Sequence, residues 1–163
     1  MGWQEEHELS RLFAANRQRR ENALSAEEKR ELAVARDLET FAHLRDEVIK
    51  PELDRLAKFT IENGWHAKVL SDSYKPVGYP GADVPRITIY FAEDEVDAYR
   101  PDEFAYARFS CTPGHFQISF AESDILPGRG GSSGTGRAYK MNDVTPEWVN
   151  SCVTKLLMRL LQK

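Results

Sequence analysis

Phe104-Ala-Tyr-Ala-Arg-Phe-Ser-Cys111, Thr112-Pro-Gly-His115 and Phe116-Gln-Ile-Ser-Phe120 read, in that order, as strand, turn and strand. Ala105, Ala107, Phe109 and Cys111 fall on one side of the first segment. Phe116, Ile118 and Phe120 alternate with Gln117 and Ser119 in the second. A period of two places alternate side chains on opposite faces of a pleated strand. Between the segments, proline presets one dihedral and the glycine after it accepts a positive φ, which is turn chemistry.

The same period extends outward on both sides. Upstream, Ile87, Ile89 and Phe91 alternate with Arg86, Thr88 and Tyr90. Further upstream, Trp65, Ala67 and Val69 alternate with His66, Lys68 and Leu70. The segment from Ser71 to Pro85 holds three prolines and two glycines and reads as a loop. Downstream, Arg137 to Met141 supplies a fifth segment after a glycine-rich connection. These alternations predict a four- to five-stranded antiparallel meander over residues 65–141, with one face packed and the other wetter.

Helical periodicity occupies both ends. A first helix is expected over Gln4–Arg20, with Leu9, Leu12 and Phe13 as a short apolar stripe. A break is expected at Asn22-Ala-Leu-Ser25, where Ser25-Ala-Glu-Glu28 has the form of a capping box. Apolar residues then recur as Val34, Leu38, Phe41, Ala42, Val48 and Ile49, with a kink or restart at Pro51 and a stop at Asn63-Gly64. At the other end Thr145 caps, Pro146 takes the first helical position and Glu147 suits the positive end of the dipole. Trp148, Val149, Cys152, Val153, Leu156, Leu157, Leu160 and Leu161 form a wide stripe that must cover something, and the packed sheet face is the expected surface.

The expected class is therefore α+β: N-terminal helices, an antiparallel meander sheet and a C-terminal amphipathic helix packed on one sheet face. The expected division is an N-terminal helical arm, 1–24, and a single α+β domain, 25–163, with helices in 26–62, the sheet in 65–141 and the last helix in 146–162.

Composition narrows the function class. The chain has 163 residues, is 41% hydrophobic and 29% charged, and carries a net charge of −4, all ordinary for a globular protein. Residues 63–127 hold ten acids against five bases, and residues 128–163 hold two acids against six bases. A nucleic-acid coat protein would be basic throughout, so any anion is expected at the last quarter of the chain. No apolar run reaches the roughly 18 residues of a membrane span. The opening residues lack the basic patch and apolar stretch of a secretory signal, and Glu6 stands where a myristoylation motif expects Ser or Thr. Two distant cysteines, Cys111 and Cys152, fit a reduced, cytoplasmic setting.

Several clusters could carry chemistry. Arg129, Gly130, Gly131, Ser132, Ser133, Arg137 and Lys140 combine unencumbered backbone donors, hydroxyls and positive charge, the ingredients of a phosphate cradle. The Walker spacing is absent, however, and no helix starts there, so a flexible hairpin loop is the competing reading. Cys111 and His115 bracket a turn, but a metal site needs three or four ligands, and Cys111 continues the buried side of its strand. Glu39, His43 and Glu47 lie opposite the apolar stripe and should face water. Arg45 falls within that stripe, where it must snorkel or find a carboxylate. Arg17-Gln-Arg-Arg20 suits a helix C-terminus by its charge. Glu93-Asp-Glu-Val-Asp97 resembles a calcium loop in composition alone.

No catalytic set, metal site or cofactor motif can be assembled from these residues. The first reading is a non-enzymatic protein–protein interaction or assembly module, self-associating through its N-terminal helices. The alternative is a phosphate-bearing ligand or nucleic acid held by residues 128–140. An enzyme without a recognisable motif comes third.

Overall fold

The computed structural model describes residues 2–75, 83–100, 102–134 and 136–163. Part of the expected Ser71–Pro85 loop, residues 76–82, lies outside the described residues. The fold is α+β, with a long N-terminal helix, a five-stranded antiparallel sheet and a C-terminal helix.

Helix α1 runs from Trp3 to Leu44 without interruption, so the expected break at residues 22–25 does not occur. Asn22, Ala23, Leu24 and Ser25 include neither proline nor glycine, and weak helix formers are carried by the turns around them. Gln18 Nε2 donates to Asn22 Oδ1 at 3.1 Å across that point. Ser25 therefore caps nothing, and the helix is instead opened by Gly2, whose N–H donates to Glu5 Oε2 at 2.8 Å. Arg17, Arg19 and Arg20 consequently sit mid-helix, and no helix C-terminus accounts for their charge.

The expected kink is a single π-helical turn, Arg45–Ile49, in which Lys50 N–H reaches back to the Arg45 carbonyl. Pro51 follows at the start of α2, Lys50–Glu62. Proline has no N–H and crowds the carbonyl four residues back, and widening the preceding turn relieves both. Arg45 pairs with its neighbour Asp46 at 3.0 Å rather than with the sheet.

The strands are β1 (His66–Tyr74), β2 (Val84–Ala92), β3 (Ala105–Thr112), β4 (Gln117–Ser123) and β5 (Arg137–Lys140). They pair in sequence order, all antiparallel. β1 and β2 extend into the segment read as a loop, with Ser71 opposite Ile87 and Tyr74 opposite Val84. Ile87 lies opposite Phe109, and Phe109 opposite Phe120, so the inner face is apolar across three strands.

That face is covered by α2, the root of α1 and the C-terminal helix α3, Pro146–Leu161. Along α3 the fully buried residues are Val149, Val153, Leu156 and Leu160, while Leu157 is half-buried and Leu161 is 63% exposed. Trp148 packs edge-on against Phe109, Phe120 and Tyr139. The outer face is not simply wet. Arg108 donates to Thr88 Oγ1 and Tyr90 Oη and stacks over Tyr106, and Tyr99 lies against Tyr90.

Candidate interaction surface and the glycine-rich hairpin

Only the last quarter of α1 belongs to the globular part. Leu38 and Phe41 join the core, Val34 lies beside Gly114, and Asp37 locks the helix to the β3–β4 turn. Its buried Oδ2 accepts from Gly114 N at 2.8 Å and Phe116 N at 2.9 Å. Phe116 has φ 52°, a left-handed conformation that side chains adopt at a cost, and the two N–H groups aimed at one carboxylate hold it there. Arg36 stands 3.5 Å from Oδ1 and balances the charge without a hydrogen bond to it. Asp37 escaped the sequence reading. Its signal was positional: it falls between Val34 and Phe41 on the apolar stripe, where a carboxylate must have partners.

From Gly2 to Leu32 every residue is exposed. At 1.5 Å per residue, Trp3–Leu32 is about 45 Å of helix with no covering from the other described residues. Its surface includes Trp3 at 81%, Phe13 at 67% and Leu12 at 51% exposure. Leu9, Leu12, Phe13, Asn16 and Arg19 line a shallow depression of about 350 Å³ on one face. Spacings of three and four residues put these side chains side by side.

The glycine-rich segment is a second hairpin appended to β4. Asp124 N donates to Ser132 O, Leu126 N to Gly130 O, and Gly134 N to Glu122 O, while Ser133 bridges to Ser123. Gly131 has φ 147°, and a Cβ there would stand 2.7 Å from the Asp124 carbonyl oxygen, so glycine is required by close approach. Ser132 N–H is spent on Asp124 Oδ1 at 2.7 Å. Arg129 grips Glu93 through its Nη1 and Nη2, at 2.7 and 3.1 Å.

The seven residues of the expected cradle are thus not brought together around one point. Arg137 lies instead in a cleft of about 260 Å³ with Tyr139, Trp148, Cys152, Lys155 and Arg159. There Glu122 Oε1 stands 2.8 Å from Arg159 and 3.7 Å from Arg137. Lys140 is exposed opposite Gln117 on the edge strand.

The hairpin's carboxylate gives a pH dependence. The Ser132 N–H, with help from Lys163 and Arg159, holds Asp124 below its ordinary value of 3.8. A folded-state value below the unfolded one stabilises the fold above about pH 4 and loses that contribution as pH falls through the folded value. Asp124→Asn is therefore expected to lower the urea midpoint at pH 7, with the gap to wild type narrowing as pH falls below about 4. A gap that persists unchanged at pH 3 would show that the carboxylate's charge is not what matters.

The remaining clusters hold no assembled chemistry. Cys111 is buried, its Sγ 3.7 Å from the Asp37 carbonyl oxygen, and burial pushes its thiol up to about 12. Burial likewise pushes the Cys152 thiol up to about 11. Neither is a thiolate at neutral pH, whereas nucleophilic cysteines have lowered values. His115 is exposed on the turn, and Glu39, His43 and Glu47 all face water. Among the described residues no three His, Cys, Asp or Glu side chains converge as metal ligands, and no helix is long and apolar enough to cross a membrane. No protein family matches this chain, and no characterised protein or solved structure is detectably similar to it.

Proposed function

We propose that the chain is a protein–protein interaction or assembly module whose docking element is the exposed part of α1. One observation carries this reading: some 45 Å of helix, bearing Trp3, Leu9, Leu12 and Phe13, is left exposed by the described residues of its own chain. An isolated helix gains little from its own turns, and helical stability in proteins comes chiefly from packing an apolar face. Clustered apolar side chains on such a helix mark a surface that a partner completes. The phosphate reading of residues 128–140 ranks second, because the donors best placed for an anion are engaged by Asp124, Glu93 and Glu122.

The test is a chain lacking residues 1–24. Its thermal melt should stay cooperative and within a few degrees of the full chain, since residues 2–24 are all exposed. A truncated chain that unfolds outright would make the helix a folding element and remove the basis of the proposal.

A further inference from the structure

The exposed helix carries an inverted charge pattern centred on its apolar patch. Glu5, Glu6 and Glu8 precede the patch, and Arg17, Arg19 and Arg20 follow it. The midpoint of each pairing, Glu5 with Arg20, Glu6 with Arg19 and Glu8 with Arg17, falls between Leu12 and Phe13, inside the patch formed by Leu9, Leu12 and Phe13. Glu5, Leu9, Leu12, Asn16 and Arg19 recur at spacings of four, three, four and three, so acid, apolar patch and base share one face. Among the described residues Arg17, Arg19 and Arg20 have no carboxylate within ion-pair distance, and they sit far from any helix end whose dipole would account for them.

We infer that the partner of this helix is a second copy of the same chain, laid antiparallel across it about a two-fold axis between Leu12 and Phe13. This rests on the interaction reading above and supplies its partner. In that register Glu5 faces Arg20 and Leu12 faces Phe13, and a two-fold axis repeats each contact, as a self-complementary interface requires. A parallel pairing in register would set Glu5 on Glu5 and Arg20 on Arg20, which like-charge repulsion opposes. The paired residues 5–20 end about 20 Å of helix before Ala33, the first half-buried residue, so the globular parts stay clear of each other. Residues 5–20 span about 24 Å, and a helix is about 10 Å wide. That footprint is well under the roughly 800 Å² per partner of a standard stable interface, so the dimer is reversible and dissociates on dilution and with added salt.

Charge reversal and cysteine pairing test the inference on the full chain. Glu5→Arg, Glu6→Arg and Glu8→Arg together, or Arg17→Glu, Arg19→Glu and Arg20→Glu together, should each weaken self-association at least about tenfold by sedimentation. Mixing the two variants, or combining all six changes in one chain, should restore it. An equimolar mixture of Glu5→Cys and Arg20→Cys chains should cross-link on mild oxidation, and neither chain alone should do so, with wild type as the control for Cys111 and Cys152. Cross-linking within each variant alone would show a parallel pair and overturn the inference, as would triple variants that associate like wild type or a six-fold variant that stays monomeric. A wild-type chain that is monomeric at high concentration also overturns it. That outcome assigns the helix to a different protein and leaves the interaction reading to the truncation result.

Discussion

Asp37→Ala is expected to lower the melting temperature by about 6–12 °C, taking about 3 kcal/mol at 2–4 °C per kcal/mol for a chain of this size. The residue is fully buried and its Oδ2 accepts from both Gly114 and Phe116. Hydrogen bonds to a charged group are worth about 1.5–3 kcal/mol each, and alanine removes both while leaving two N–H groups unpaired. Phe116 would then hold its positive φ without the anion that orients its N–H. Asp37→Asn keeps an acceptor oxygen but loses the charge, and it should fall between alanine and wild type. Calorimetry on the three chains checks the order. An alanine variant that melts like wild type would show that the turn is held by packing alone.

Leu156→Ala should cost about 2–5 kcal/mol, the range for deleting a fully buried leucine side chain. Leu156 is 0% exposed where α3 meets α2 and the sheet. Leu157 is half-buried and should cost less, and Leu161, 63% exposed, should cost least. Urea denaturation of the three alanine variants would give this descending order. Equal losses would mean that α3 is rotated relative to the sheet from the packing described here.

Much of the fold was legible because its signals are local. Strand alternation survives in any environment where one face is buried, and the inner and outer sets of β2, β3 and β4 follow it except at Phe116, which belongs to the β3–β4 turn. Thr145 and Pro146 mark the start of α3 by chemistry that needs no tertiary context, and the Thr145 Oγ1 accepts from Trp148 N at 3.1 Å. Which leucines of that wide stripe face the core is not decided locally, since the elements α3 packs against, α2 and the sheet, fix its rotation. The continuity of α1 was misread because Ser25 and Glu28 have the form of a start signal. Such a signal acts only where the preceding turn is absent, and nothing between Glu21 and Ala26 breaks the helix.

The functional surfaces were legible in part. The stripe Leu9, Leu12 and Phe13 was visible, but its lack of an intramolecular cover was not, because exposure is a property of the whole fold. The glycine-rich stretch reads as either a phosphate cradle or a hairpin loop, and its residues up to Gly134 pair as a hairpin. Its glycines serve backbone approach, as Gly131 against Asp124 shows, and composition alone does not separate approach to a ligand from approach to a neighbouring strand. The outer-face cluster of Arg108 with Thr88, Tyr90 and Tyr106 depends on cross-strand register, which only the assembled sheet provides.

Residues 1–24 serve self-association and not the fold if the helix pairs with a second copy. Sedimentation velocity over a concentration series of the full chain, beside the chain lacking those residues, tests it most directly. The account predicts that the full chain shifts toward a dimer with rising concentration, while the truncated chain remains a monomer throughout. Matching sedimentation behaviour of the two chains, both monomeric or both dimeric, would contradict it.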